Sequence, residues 1–580
     1  MRIRFFLSLI VIPLVLSLTS CFGDKLNDGN YQIEIFATND VHGRFFDSLY
    51  VGTKSQLVHP YSIASVSTFI NKERNKTGKD NVILLDIGDN LQGDNAAFYY
   101  NFIDTVGEHL FSRIINYLNY DAVVVGNHDI ETGHRVYDKV AAELNAPYLA
   151  ANAIDTKTGE PYFKPYTILT RNGIKIAIIG MTNPNIPNWL SGHLWEGIEF
   201  KDIVPSLEYW VKYVREKENP HIVVAAMHVG LGNEDIDSKE NPARFVAKHV
   251  KGIDIIFAAH DHKVTVEKFF NGDKEIWILE GGSRASTLSK VNIKLSIENG
   301  IVVSTSIIGE SISMSGVVPD SMYNKLFRED FLKVKKFTNR SIGVLNNNIT
   351  TRDAYFGPSA YIDMIHTLQL KISGADISFA APLSFDTNKE KGVLNYQDLQ
   401  DIYPYENQLY MIEMTGLEIK KYLEYSYSKW VNSNPKKSGH LLNLNMDGKE
   451  ERSYFNNFYF NFDSAAGIIY EVDITKGDGE RIKILSLANG IAFNMDSKYK
   501  VALTSYRASG GGDLLKLGAG ISKEEMPNRQ IARFADIREL LYNQIQINGS
   551  LEAKKLNQWK FVPDNIVSKV AATDYKLLFD

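Results

Sequence analysis

Cysteine is almost missing from this sequence: one residue, Cys21, in a chain of 580. An internal disulfide is therefore excluded, and so few thiols suit a chain exported from the reducing cytosol. Tracts of Lys or Arg are also missing, and 63 basic against 69 acidic side chains leave a formal charge of −6. Neither feature suits polymeric nucleic acid as a partner. Beyond the N-terminal segment no apolar run reaches the roughly 20 residues of a membrane-spanning helix. There is no internal repeat or low-complexity tract, and no feature points to a protein partner. What remains is ordinary for a globular protein, 44% apolar and 23% charged. The length exceeds what a single hydrophobic core fills, so at least two domains are expected.

Against this background, acid, amide and imidazole groups gather in five short segments. They are Asp40-Val41-His42-Gly43, Asp86-Ile87-Gly88-Asp89, Gly126-Asn127-His128-Asp129, His228, and His260-Asp261-His262. Each follows a run that reads as a strand: 32–37, 82–85, 122–125, 222–226 and 253–258. Open α/β sheets place ligands at the carboxyl ends of their strands, so the five segments are expected to converge. A lone His beside an apolar run is ordinarily structural, and the other eight (His59, His109, His134, His193, His221, His249, His366 and His440) are read that way.

The residue types suit two divalent ions that together clamp a phosphate and activate water. Asp89 is the candidate shared carboxylate, and Asp40 supplies a second one. His42, His228, His260 and His262 offer neutral imidazoles, which suit Zn, Mn or similar ions and disfavour calcium. Asn127 adds a neutral oxygen that leaves the ions their Lewis acidity.

Taken together these motifs resemble the calcineurin-like metallophosphoesterases. Segments 36–44 and 86–93 look like the 5'-nucleotidase branch in particular. The resemblance implies a four-layer sandwich over 31–312, with Asp40, His42, Asp89 and His262 on one metal and Asp89, Asn127, His228 and His260 on the other. It implies that His128 is no ligand but a group that stabilises charge on the phosphate, oriented by Glu131 where the family more often has Asp. Ala259 stands where the family usually has Gly; neither change removes a ligand.

The later part of the chain carries two aromatic segments, Tyr403-Pro404-Tyr405-Glu406-Asn407 and Leu503-Thr504-Ser505-Tyr506-Arg507-Ala508, the second followed by Gly510-Gly511-Gly512. Most tyrosines pack or cover surface. Residues 341–575, however, look like the nucleotidase C-terminal domain, an α/β substrate domain, and there the resemblance makes Tyr405 and Tyr506 the pair that sandwiches a base. Ala380-Ala381-Pro382 stands where 5'-nucleotidases have Gly-Gly-Ile-Arg. With Tyr506-Arg507-Ala508, 148–155 and 458–462, it looks like the bifunctional 2',3'-cyclic-nucleotide 2'-phosphodiesterase/3'-nucleotidases. The implied activity is removal of phosphate from nucleotides. The alternatives are a 5'-nucleotidase or nucleotide-sugar hydrolase, and a non-catalytic surface protein that binds nucleotides. Apolar residues Tyr323, Leu326, Phe327, Phe331 and Val334 fall at helical spacing, and 313–340 reads as a linker helix.

The N-terminus addresses the location. Arg2 and Arg4 precede an apolar stretch that ends in Leu18-Thr19-Ser20-Cys21. This reads as a secretory signal over 1–20. Its end resembles a bacterial lipobox, which implies acylation of Cys21 and anchoring to the cell envelope, with 21–30 as a polar tether.

Overall fold

The computed structural model describes residues 26–47, 61–190, 192–405, 407–445, 454–508, 510–522 and 525–579. The expected signal and Cys21 lie outside them. The first domain contains two six-stranded sheets. In one, Gly29–Thr38, Val82–Asp86, Ala122–Val124 and Tyr148–Leu149 run parallel, and Thr287–Glu298 and Ile301–Ser313 extend it antiparallel. In the other, Ile174–Met181, Ile222–Met227, Ile255–Phe257 and Lys274–Gly281 run parallel between antiparallel edges Tyr166–Arg171 and Val264–Asn271.

Side-chain alternation explains why the strand runs are apolar throughout. Ile83 enters the core between the sheets, while its neighbour Leu84 packs outward with residues of the helices Ile63–Thr77 and Leu110–Leu118. Val224 points into the same central core, and Val223 packs outward with residues of Ile203–Lys217 and Ala243–His249. The order helix, sheet, sheet, helix gives the four layers that the family resemblance implied. All five motif segments follow strands, and those strands end at one rim.

The segment read as a single linker helix forms two, Ser321–Leu326 and Arg328–Thr338. Phe327 leaves helical geometry (φ −96°, ψ 15°) between them, and its ring is buried in the first domain's core. Leu326 is instead exposed, so the helical spacing was right for Tyr323 and Val334 and wrong for it. Asp330 accepts from Tyr100 (2.6 Å) and from both terminal nitrogens of Arg113 (2.7 and 3.0 Å). The pair of helices is thus bolted to the first domain, and Phe337 at its end packs into the second.

The second domain has a five-stranded mixed sheet in the order Ser464–Ala466, Ile377–Ala380, Lys498–Thr504, Gln408–Thr415, Gln530–Asp536. The helices Ala360–Ser373 and Gly416–Trp430 carry capping residues Ser359 and Thr415, whose side chains accept backbone N–H groups at their starts. His366 is fully buried between the hydroxyls of Ser378 and Ser464, as its structural reading requires. The domains meet at Phe98, stacked on Tyr396 (5.3 Å) and Phe337 (6.2 Å), and at Gln400, which donates to the Gly93 carbonyl (2.9 Å).

Candidate metal centre

The structure brings the candidate ligands together in two groups: Asp40, His42 and His262, and Asp89, His228 and His260. Nε2 of His42 and Nε2 of His262 are 3.0 Å apart. Asp40 Oδ1 lies 3.5 Å from His262 Nε2 and 4.0 Å from His228 Nε2, and so joins the two groups. In the second group His228 Nε2 lies 3.0 Å from Asp89 Oδ2, and His260 Nδ1 lies 3.0 Å from Asn127 Oδ1. Asp40 and His228 are fully buried, whereas the His262 side chain is 47% exposed, so the cluster opens to solvent on the His262 side.

Three of the four rings are oriented by a partner on the far side. His42 Nδ1 faces the Gln92 carbonyl (3.2 Å), His228 Nδ1 the Ile87 carbonyl (2.6 Å), and His260 Nε2 the Glu240 carboxylate (3.2 Å). Donation of N–H to those acceptors leaves the inward nitrogen as a lone-pair donor, the arrangement that metal-bound imidazoles use. Asn39 donates to Asp40 Oδ2 (2.7 Å).

Local backbone geometry is unusual. Asp40 (φ 47°), His42 (49°), Asp89 (60°), His260 (77°) and His262 (58°) all adopt left-handed conformations without being glycine. Such positions cost about 1–3 kcal/mol each and persist where the surroundings enforce them, commonly at functional sites. The enforcing contacts are visible. Asp129 accepts from the amides of Gly126 (2.8 Å), Asp89 (3.1 Å), Asn90 (2.9 Å) and Leu91 (3.0 Å). A side chain at Gly126 would place its Cβ 2.1 Å from Asp89 Oδ1, which explains the glycine in Gly-Asn-His-Asp.

The electrostatics fit a cation site. Burial alone would raise Asp40, but His262 and His228 outweigh it and hold the carboxyl at about 2. Burial likewise opposes charge on Asp89, and His228 and His128 hold it well below the usual carboxylate range. Burial pushes His42 down to about 3, which keeps it in the neutral, ligating form. Burial opposes charge on His228 too, yet Asp89 drives that imidazole up to about 10, so a bound ion would have to displace the proton on its inward Nε2. Two buried carboxylates thus draw positive charge into the cluster, the demand that divalent ions would meet. The donors, imidazole and carboxylate with one amide oxygen, fit Zn or Mn.

His128 stands beside this cluster, its ring 5.5 Å from that of His42 and its amide donating to Asp89 Oδ1 (2.8 Å). Its Nδ1 meets Glu131 Oε2 at 2.5 Å, the contact that the sequence led us to expect. Tyr405 and Tyr506 belong to an aromatic group of the second domain. Their rings flank Phe460 edge-on, at 6.0 Å (62°) and 6.3 Å (72°). Arg507 holds this aromatic group in place through Asp463 (2.9 and 2.6 Å), Asn461 (2.9 Å) and the carbonyls of Phe460 (2.6 Å) and Gly511 (3.1 Å). Gly511 lies where a Cβ would come within 2.4 Å of the Tyr506 ring.

Sequence reasoning missed Glu240, Asn39, Trp189, Asp129 and Phe460 as partners. Asp129 sat inside a quoted motif; Glu240 lies in a connecting segment with no motif to mark it. Trp189 stacks on His260 (5.3 Å, 19°) from the separate helical turn Ile186–Trp189.

Known proteins share both halves. Residues 33–264 match the calcineurin-like phosphoesterase family, and residues 338–517 match the 5'-nucleotidase C-terminal domain. A 2',3'-cyclic-nucleotide 2'-phosphodiesterase/3'-nucleotidase of Salmonella typhimurium is 26% identical over 559 residues, covering 85% of this chain and 84% of its own. A trifunctional nucleotide phosphoesterase of Bacillus subtilis is 24% identical over 96% of this chain, which spans 40% of that protein's length. A Staphylococcus aureus protein solved with alpha-ketoglutarate shares the fold, with a TM-score of 0.73 at 19% identity over 91% of this chain and 99% of that one. Among the described residues no helix is long and apolar enough to cross a membrane. The chain joins a calcineurin-like phosphoesterase domain to a 5'-nucleotidase C-terminal domain.

Proposed function

We propose that this protein hydrolyses nucleotides as a 2',3'-cyclic-nucleotide 2'-phosphodiesterase/3'-nucleotidase. The observation that carries the reading is the pairing of two acid–imidazole groups with the His128–Glu131 pair at one rim. Asp40, His42, Asp89 and His262 would hold one ion, and Asp89, Asn127, His228 and His260 the other. When bound, the two ions supply Lewis acidity to the phosphate and lower the pKa of water.

The protein's own groups do the rest. As an imidazolium, with Nδ1–H held by the Glu131 carboxylate, His128 presents Nε2–H to a phosphate oxygen and stabilises charge as it builds there. Tyr405 and Tyr506 hold the base and so select which phosphate reaches the rim. Tyr405 is suited to this because it lies between two segments docked on the first domain, Gln400 on Gly93 and Tyr410 on Trp189. In the first step water adds to phosphorus, the bond to the 2'-oxygen breaks, and that oxygen takes a proton to leave a 3'-phosphate. A second water then releases inorganic phosphate and the nucleoside. Ala380-Ala381-Pro382, in place of an Arg-bearing loop, and the name of the Salmonella relative support this branch. Export by the 1–20 signal and anchoring through an acylated Cys21 would put the site where external nucleotides are met.

Phosphate release from 2',3'-cyclic AMP, 3'-AMP and 5'-AMP with added Mn or Zn tests the reading. Turnover of the first two is expected, with phosphate from the cyclic diester appearing only after 3'-AMP. Release from 5'-AMP alone would make the protein a 5'-nucleotidase, and none from any substrate would leave a binding protein.

A further inference from the structure

The segment 183–190 touches His260 on two sides. Trp189 stacks on its ring (5.3 Å, 19°). Asn185 donates to Glu240 Oε2 (3.3 Å), Asn183 donates to the Glu240 carbonyl (3.1 Å), and Glu240 Oε1 faces His260 Nε2 (3.2 Å). The same segment also meets the second domain. The Tyr410 hydroxyl donates to the Trp189 carbonyl and Arg533 Nη1 to the Leu190 carbonyl, both at 3.0 Å. Tyr410 and Arg533 face one another across neighbouring strands, with the guanidinium 4.9 Å from the ring centre.

We propose that Tyr410 and Arg533 are positioning residues for His260, acting through Trp189 and Leu190. Docking of the second domain then sets how one of the two candidate ions is held. The proposal rests on the metal reading given above. Its physical basis is the weakness of the strap itself. Ile186–Trp189 is a single helical turn, closed by the Leu190 amide on the Ile186 carbonyl (2.9 Å). One turn does not hold its own orientation, and the carbonyls at its end need outside donors. Trp195 Nε1 supplies one to Leu190 from the first domain (3.2 Å); the second domain supplies the other two. Without them Trp189 keeps only its packing against the first domain's core and the Trp195 bond to Leu190, and the flat surface that sets the His260 ring plane is held less firmly.

The test is a cobalt(II) titration of the metal-free full-length protein, with the visible absorption of each equivalent followed separately. Wild type is expected to take two equivalents, and His260→Ala to lose one. Tyr410→Phe with Arg533→Gln should bind the first equivalent as wild type does and the second roughly tenfold more weakly, the lower end of what loss of an outer ligand partner costs. Arg533→Lys, which keeps a donor within reach of Leu190, should recover most of that loss. Wild-type affinity for both equivalents in the double variant would overturn the proposal while leaving the metal reading intact, and so would equal weakening of both. Two tight equivalents in His260→Ala would overturn both. Should the double variant fail to fold, Tyr410→Phe alone carries the same comparison, because it removes one hydroxyl and leaves the ring.

Discussion

Asp89 accepts the His128 amide through one oxygen and faces His228 through the other. A change there therefore reaches both the candidate ions and the neighbouring catalytic candidate. Asp89→Asn keeps the shape and removes the charge that the two ions would share. Metal analysis of that variant is expected to show depleted metal, and assay a loss worth several kcal/mol of barrier. His128→Asn removes a group that sits beside the cluster, with its Nδ1 on Glu131. It should keep its metal and slow turnover by roughly 10²–10⁴-fold, the scale of a positioned acid–base group. A missing ion in His128→Asn would reverse the division of roles. All seven ligand candidates were legible in the sequence because each sits within a few residues of a strand end. Their partners were not. Glu240 is 20 residues from His260 and reaches it through a loop whose path depends on how Asn183 and Asn185 hold it.

At the scale of elements, the aromatic group of the second domain depends on three separate segments: the turn carrying Tyr405, the turn carrying Phe460, and the start of the short helix Ser505–Ala508. Arg507 ties two of them together from a nearly fully buried position. A base lying against Tyr405 or Tyr506 would gain about 1–3 kcal/mol of stacking. Replacing either tyrosine by Ala should therefore raise KM for nucleotides by roughly 5- to 150-fold, at about 1.4 kcal/mol per tenfold. Hydrolysis of bis-nitrophenyl phosphate, which has no base, should change much less. Kinetics on both substrates decide the matter, since misfolding would depress both alike; equal losses would return the tyrosines to packing. The two segments were legible as tyrosines beside glycine or proline. The contact of Phe460 with both rings was not, because which ring lies edge-on to two others is chosen by packing.

At the scale of the whole molecule, location and assembly come apart. The proposed signal and the proposed acylation of Cys21 rest on local features, read without any fold. Cys21→Ser should leave the protein soluble or unprocessed, because a polar tether has no membrane affinity of its own. Cell fractionation checks it, and processed Cys21→Ser protein in the membrane fraction would count against anchoring. The sequence by itself determined that the strands are covered on both faces and which ligand types gather at their ends, while the four layers were implied by the family resemblance. Strand runs apolar on both faces must be covered on both faces, and acid or imidazole groups after such runs must lie at their carboxyl ends. Only the tertiary structure decided which nitrogen His42, His228 and His260 turn inward, since that depends on acceptors at Gln92, Ile87 and Glu240 brought in from other segments. It also decided that the second domain rests on the strap beside His260. That contact joins Arg533 to Leu190 across 343 positions of sequence, and only the complementary fit of two finished surfaces could select it.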